Sequence, residues 1–128
     1  MGARVFISYA GPDVQQAKLV AKGLTSLGHD VFFAPQNLRS GDQIAGTLER
    51  EIKTRDALVL IASHNIVAKP YIEAEVAAAF NHRKRIIVLR RTDYLGSDAI
   101  DFRTKSAVWV DCGARVGDRD VHIVSRGL

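Results

Sequence analysis

At 128 residues the chain is the size of one domain, able to bury roughly 65 to 70% of the surface that its unfolded form exposes. Its 47% hydrophobic and 25% charged residues exclude a disordered chain, no apolar run approaches the about 20 residues of a membrane span, and no signal-peptide pattern opens it, so the cytoplasm is the expected compartment. The formal charge of +4 draws on Arg83-Lys84-Arg85 and Arg90-Arg91, but these flank an apolar run with no aromatic residue interleaved, so they read as solvated loop ends and a nucleic-acid partner is not expected.

In chain order, Val5-Phe-Ile-Ser8 has the apolar pattern of a buried strand, and Gly11-Pro-Asp13 breaks it and opens a helix. Ala17, Val20, Leu24 and Leu27 recur at helical spacing, with Gly28 placed to end that helix. Val31-Phe-Phe33 is the second strand; a polar connection runs from Ala34 to Asp42, and Ile44, Leu48 and Ile52 mark the next helix face. Ala57 to Ala62 is apolar throughout, as a central strand covered on both faces requires. Pro70 suits the first turn of a third helix, whose expected core stripe is Ile72, Val76 and Phe80. Strands at Ile86 to Leu89 and Ala107 to Val110 follow. Residues 113–128 are charged and weakly periodic, and are expected to be a C-terminal helix or the start of a linker to a further domain beyond a core of residues 1–112.

Strands alternating with helices predict a parallel sheet with right-handed crossovers. The expected architecture is an α/β, flavodoxin-like three-layer fold: five parallel strands in the order 2-1-3-4-5 with helices on both faces. Its ligand crevice lies where strands one and three diverge, at Ser8-Tyr9-Ala10-Gly11 and Ser63-His64. Tyr71 and Glu75, four residues apart on the third helix, share one face and overlook that crevice.

Several chemistries lack their residues. No G-x-G-x-x-G follows the first strand and no G-x-x-x-x-G-K-[ST] occurs. Ser63 stands where a phosphoacceptor domain needs an aspartate. His29, His64, His82 and His122 show no metal-ligand spacing with Cys112, so neither metal nor cofactor is expected. The lone Cys112 excludes an internal disulfide and reads as a small packing residue. One carboxylate falls short of the pair that an ordinary glycosidase uses. It suffices for a ribose–pyridinium bond, because the nicotinamide nitrogen already carries positive charge and leaves neutral; a Glu with the usual pKa of about 4.3 is ionised at neutral pH and stabilises the ribosyl cation.

Arg4-Val-Phe-Ile-Ser-Tyr-Ala10, Leu24 to Phe33, Leu38-Arg-Ser-Gly-Asp42, Ile52 to Ser63 and Tyr71-Ile-Glu-Ala-Glu75, in that order and spacing, resemble a Toll/interleukin-1 receptor (TIR) domain of bacterial type over residues 4 to 112. The resemblance implies an NAD+ glycohydrolase that releases nicotinamide and leaves ADP-ribose or its cyclic isomer. It further implies activation by oligomerisation, a role in bacterial immune or antiphage signalling, and no cofactor beyond NAD+ as substrate. Glu75 matches the catalytic glutamate of the family's W-x-x-x-E, with Tyr71 in place of the Trp; Glu73 is about 200° away around the helix. By the same resemblance Tyr9 and Ala10 line the adenosine or ribose side. Phe33, Arg39 and Asp42 border the nucleotide from the BB loop, Ala34 to Asp42, which also mediates self-association, and Ser63 completes the substrate-binding set. A fused sensor domain after Leu128 is a further partner of this kind. Local duties compete with these roles: strand-end packing for Tyr9, core for Phe33, partner contact for Arg39, a helix cap for Asp42 and a turn cap for Ser63. Two other functions remain open, a non-catalytic TIR–TIR interaction module and a nucleoside deoxyribosyltransferase.

Overall fold

The computed structural model describes residues 2–33 and 42–128, with side chains from 48 onward in the second part. Arg39, the rest of the connection 34–41, and the side chains of Asp42 and Ile44 therefore lie outside the described residues. In chain order the elements are β1 (Arg4–Ser8), α1 (Val14–Ser26), β2 (Asp30–Phe33), α2 (Asp42–Thr54), β3 (Ala57–Ala62), α3 (Pro70–Asn81), β4 (Arg85–Arg91), the short α4 (Asp98–Asp101), β5 (Val108–Gly113) and α5 (Asp118–Gly127). The strands pair in parallel in the order β2-β1-β3-β4-β5, the flavodoxin-like arrangement expected from the sequence.

Period-two alternation along the strands divides the core into two layers. Phe6, Leu58, Leu60 and Val88 pack against Leu48 and Ile52 of α2 and Ile72 and Val76 of α3. Val5, Ile7, Val59, Ile61, Ile87 and Leu89 pack against Ala17, Val20 and Leu24 of α1 and Val121 and Val124 of α5. β3, buried at all six positions, carries both layers. Each large aliphatic side chain so covered contributes about 1.5 to 3 kcal/mol before conformational entropy is charged against it.

Two expected core residues lie elsewhere. Phe80 is 46% exposed, and Ala79 is buried in its stead. At 3.6 residues per turn a step of eight overshoots Ile72 by about 80°, whereas a step of seven falls about 20° short. Leu27, 41% exposed, follows the last residue of α1, where the chain turns through Gly28 at φ +94° and leaves the stripe.

The tail forms α5, held to the rest of the chain at two points. Across from Val121, a Cβ added to Gly23 of α1 would stand 2.7 Å from Val121 Cγ1, so the helices meet at a glycine. The His29 ring bridges both ends of the domain: Nδ1 accepts from the Ala3 N–H at 3.0 Å and Nε2 lies 2.8 Å from Ser125 Oγ. Because Nδ1 accepts, the ring proton sits on Nε2 and is donated to Ser125.

Gly23→Ala should therefore destabilise the fold. Better helix propensity favours alanine by about 0.5 to 1 kcal/mol, but overpacking costs about 1 to 3 kcal/mol. Urea unfolding should show a lower midpoint at constant slope; an unchanged or higher midpoint would contradict the close α1–α5 contact.

Candidate active site

Lys69 is extended (φ −102°, ψ 103°), as the residue before a proline must be, and Pro70 starts α3. The helix then carries Tyr71 and Glu75 along the side that faces α2 and β1. On β1, alternation turns Ser8 to the same side as Phe6, while Ile7 and Tyr9 face α1. The Ser8 hydroxyl donates to Glu75 Oε1 at 2.7 Å, across 67 residues of chain. Both groups are buried: Ser8 is 0% and Glu75 3% exposed. A carboxylate this far from water is tolerated only with donors in place, and Ser8 supplies one. Tyr71, half-buried, packs against the same layer. Tyr71 and Glu75 line one cavity of about 360 Å³, together with Leu48, Glu49 and Ile52 of α2 and Ala74, Ala78 and Asn81 of α3. The walls are mostly apolar, so a charge there acts with less screening than in water.

The other expected site residues are distributed over two layers. Ala10 is fully buried on the Glu75 side. Tyr9 and Phe33 stack on each other at 5.0 Å between ring centroids, 2° from parallel, in the α1 and α5 layer. They back the crevice from the other face of the sheet. Ser63 is fully buried; its hydroxyl accepts from the Asn65 N–H at 3.1 Å, capping the turn His64–Ile66, and donates to Asp13 Oδ2 at 2.5 Å.

Asp13 has a second role that the sequence did not suggest. Its side chain caps no helix. It is 2% exposed and receives Ser63 Oγ, Asn65 Nδ2 at 3.0 Å and Arg91 Nη1 at 2.8 Å. Arg91 also reaches Asp93 at 3.4 Å, and Asp93 lies 2.6 Å from His64 Nδ1. The segments that follow β1, β3 and β4 are thus tied together beside the crevice. Burial pushes the Asp93 carboxyl up, but the His64 hydrogen bond and the Arg91 charge outweigh it and hold it below the usual carboxylate range. The stability that Asp93 contributes is present above its unfolded pKa and is lost as pH falls through the lower folded value.

Cys112 is half-buried, and its thiol is pushed up to about 12, first by burial and then by the charges of Asp120 and Asp111, so it stays protonated and is a poor nucleophile. Among the described residues no group of His, Cys, Asp and Glu is arranged to hold a metal ion. Ser8 is the site residue that the family pattern did not single out. Its signal was present in the alternation Phe6, Ser8, Ala10, which puts a hydroxyl at the inward-facing end of a buried strand.

A family model described as TIR domain matches residues 5–123. Among solved structures the chain is similar to the Clostridium botulinum CMP N-glycosidase BcmB, with a TM-score of 0.68 and 18% identity over 98% of this chain and 99% of that one. At that identity the likeness is one of fold. Among curated proteins nothing matches.

Asp13→Asn should leave the Arg91 charge without its buried partner. The expected loss is about 3 kcal/mol, the low end for breaking a buried pair, because Arg91 keeps some contact with water. Denaturant unfolding measures it, and a loss below about 0.5 kcal/mol, the size of an ordinary surface change, would contradict the cluster.

Proposed function

Because the chain belongs to the TIR domain family, we propose that it cleaves the N-glycosidic bond of NAD+, using Glu75 as the catalytic carboxylate. The observation that carries this reading is the Glu75 carboxylate itself, buried at an apolar wall, hydrogen-bonded by Ser8, and sharing its cavity with the Tyr71 ring. As the bond from C1′ to the pyridinium nitrogen lengthens, its electron pair passes to nicotinamide and positive charge develops over C1′ and the ring oxygen of the ribose. Glu75 stabilises that charge electrostatically. Ser8 fixes the plane of the carboxylate through Oε1, so little reorganisation is needed at the moment of reaction. Water then adds to C1′ and loses a proton, giving ADP-ribose; attack by a nitrogen of the substrate's own adenine gives the cyclic product. No acid is needed for the departing base, so the buried Glu75 suffices; Glu49, which also lines the cavity, is 64% exposed and lies 3.8 Å from His82 Nε2.

Tyr71 stacks on the ribose or nicotinamide in this reading. Ala10 lets the substrate approach the backbone closely, and the Tyr9–Phe33 stack supports that edge from behind. Arg39 and Asp42 border the nucleotide from the BB loop, and the same loop joins neighbouring TIR domains in the active assembly. Ser63 acts one step removed, through Asp13. Within a cytoplasm, such NAD+ loss fits a defence signal.

A second reading follows from the solved neighbour, whose substrate by name is CMP: the same carboxylate acts on a nucleoside monophosphate. There the base leaves from an uncharged nitrogen and calls for a proton donor as well, which places NAD+ first on chemical grounds.

The test is product analysis of concentrated protein with NAD+, and with CMP in parallel. Nicotinamide release is expected, falling about 100- to 1,000-fold in Glu75→Ala at an unchanged circular dichroism spectrum. Unchanged turnover in that variant removes Glu75 from catalysis. Self-association without loss of either substrate would mark the chain as an interaction module.

A further inference from the structure

The amino-terminal edge of the sheet, at the C-terminal end of α3, combines charge, concavity and exposed rings. The turn from α3 to β4 carries Arg83-Lys84-Arg85, and these line one hollow of about 530 Å³ with Arg103, Phe80 and Val108. No acidic side chain lines it among the described residues. Among the described residues no carboxylate is paired with Arg83, Lys84 or Arg85. Asp56, whose carboxyl feels the Lys84 charge, is already engaged by the Arg4 N–H at 2.8 Å and by its guanidinium at 3.4 Å. Arg83 sits at φ +56°, at the position after a helix end where glycine is favoured, so the chain keeps a side chain there at a conformational cost.

The rings come from two distant segments. Phe80 ends α3 at 46% exposure, and Phe102 follows α4 at 64%. Phe102 lines an adjoining hollow of about 530 Å³ that shares Arg103 and is also lined by Asp98 and Asp101; Asp101 is engaged by the Tyr94 hydroxyl at 2.7 Å and the Ser97 N–H at 3.2 Å, and the Lys105 ammonium lies 5.4 Å from the Phe102 ring centroid. The sequence shows no aromatic interleaved with the basic triplet, but the fold supplies two beside it.

We propose that this strip binds single-stranded nucleic acid, with Arg83, Lys84, Arg85, Arg103 and Lys105 meeting backbone phosphates and Phe80 and Phe102 stacking on unpaired bases. A basic groove with stacking rings is the chemistry of single-strand binders. A duplex offers its phosphates but keeps its bases from the rings, and a mononucleotide brings one base where the strip offers two rings. The hollow beside Arg83 meets the Glu75 cavity at Asn81, but none of the seven residues named for the strip lines that cavity, and the proposal does not depend on the glycosidase reading.

Fluorescence anisotropy with a labelled oligothymidine of about 15 nucleotides tests it. Binding is expected at low salt, with log affinity falling against log salt at a slope of about −3. Arg83→Gln with Arg103→Gln should flatten that slope by about 1.4. Phe80→Ala and Phe102→Ala should each weaken binding about 10-fold at unchanged slope. Excess NAD+ should not displace the strand. No binding at low salt, equal affinity for duplex with no effect of the Phe variants, equal affinity for a mononucleotide, or displacement by NAD+ would each overturn the proposal. Circular dichroism melts of the four substitutions check that the fold persists, above all for Arg103, which is half-buried and donates to the Ala99 carbonyl at 3.0 Å.

Discussion

Burying Glu75 is the constraint on which the site depends. A carboxylate at 3% exposure on an apolar wall is strongly unfavourable unless donors are waiting for it, and the Ser8 hydroxyl at 2.7 Å is one that β1 holds ready. That bond works only if β1 lies beside β3 and α3 packs on the face to which Ser8 points. The strand order β2-β1-β3-β4-β5 meets the first condition and the Ile72, Val76 and Ala79 stripe the second. The fold and the site thus share one geometric requirement, since a one-residue slip of β1 would turn Ser8 toward α1.

The two edges of the sheet differ in how they handle charge. At the carboxyl edge Arg91 pairs with Asp13 and Asp93, and His64 hydrogen-bonds Asp93, which ties three loops together, with Asp13 withdrawn from water. At the amino edge Arg83, Lys84 and Arg85 are left without carboxylate partners among the described residues. The first arrangement holds backbone segments in place; the second leaves charge available to an outside ligand. α3 joins them, with Glu75 at its middle and Phe80 near its end.

Elements and strand order were legible because hydrophobic periodicity directly records burial: six buried positions in a row at Ala57–Ala62 admit only a central strand. The Tyr71 and Glu75 pairing followed from helical spacing. Phe80 was misplaced because a spacing of four was extended over eight residues, far enough for the 3.6-residue turn to carry it off the core. Asp13 looked like a helix opener because its partners Ser63, Asn65 and Arg91 lie 50 to 78 residues away, and no local pattern records a contact at that separation. The company that Phe102 keeps with the basic triplet was hidden in the same way.

The most direct measurement compares NAD+ with NAD+ deuterated at C1′ of the nicotinamide ribose, in the wild-type assembly and in Glu75→Gln. Stabilisation of a ribosyl cation by Glu75 predicts slower kcat/KM for the deuterated substrate, as C1′ flattens in the transition state, and collapse of turnover in the variant with its fold retained. Equal rates for the two substrates, or turnover that survives Glu75→Gln, would contradict it.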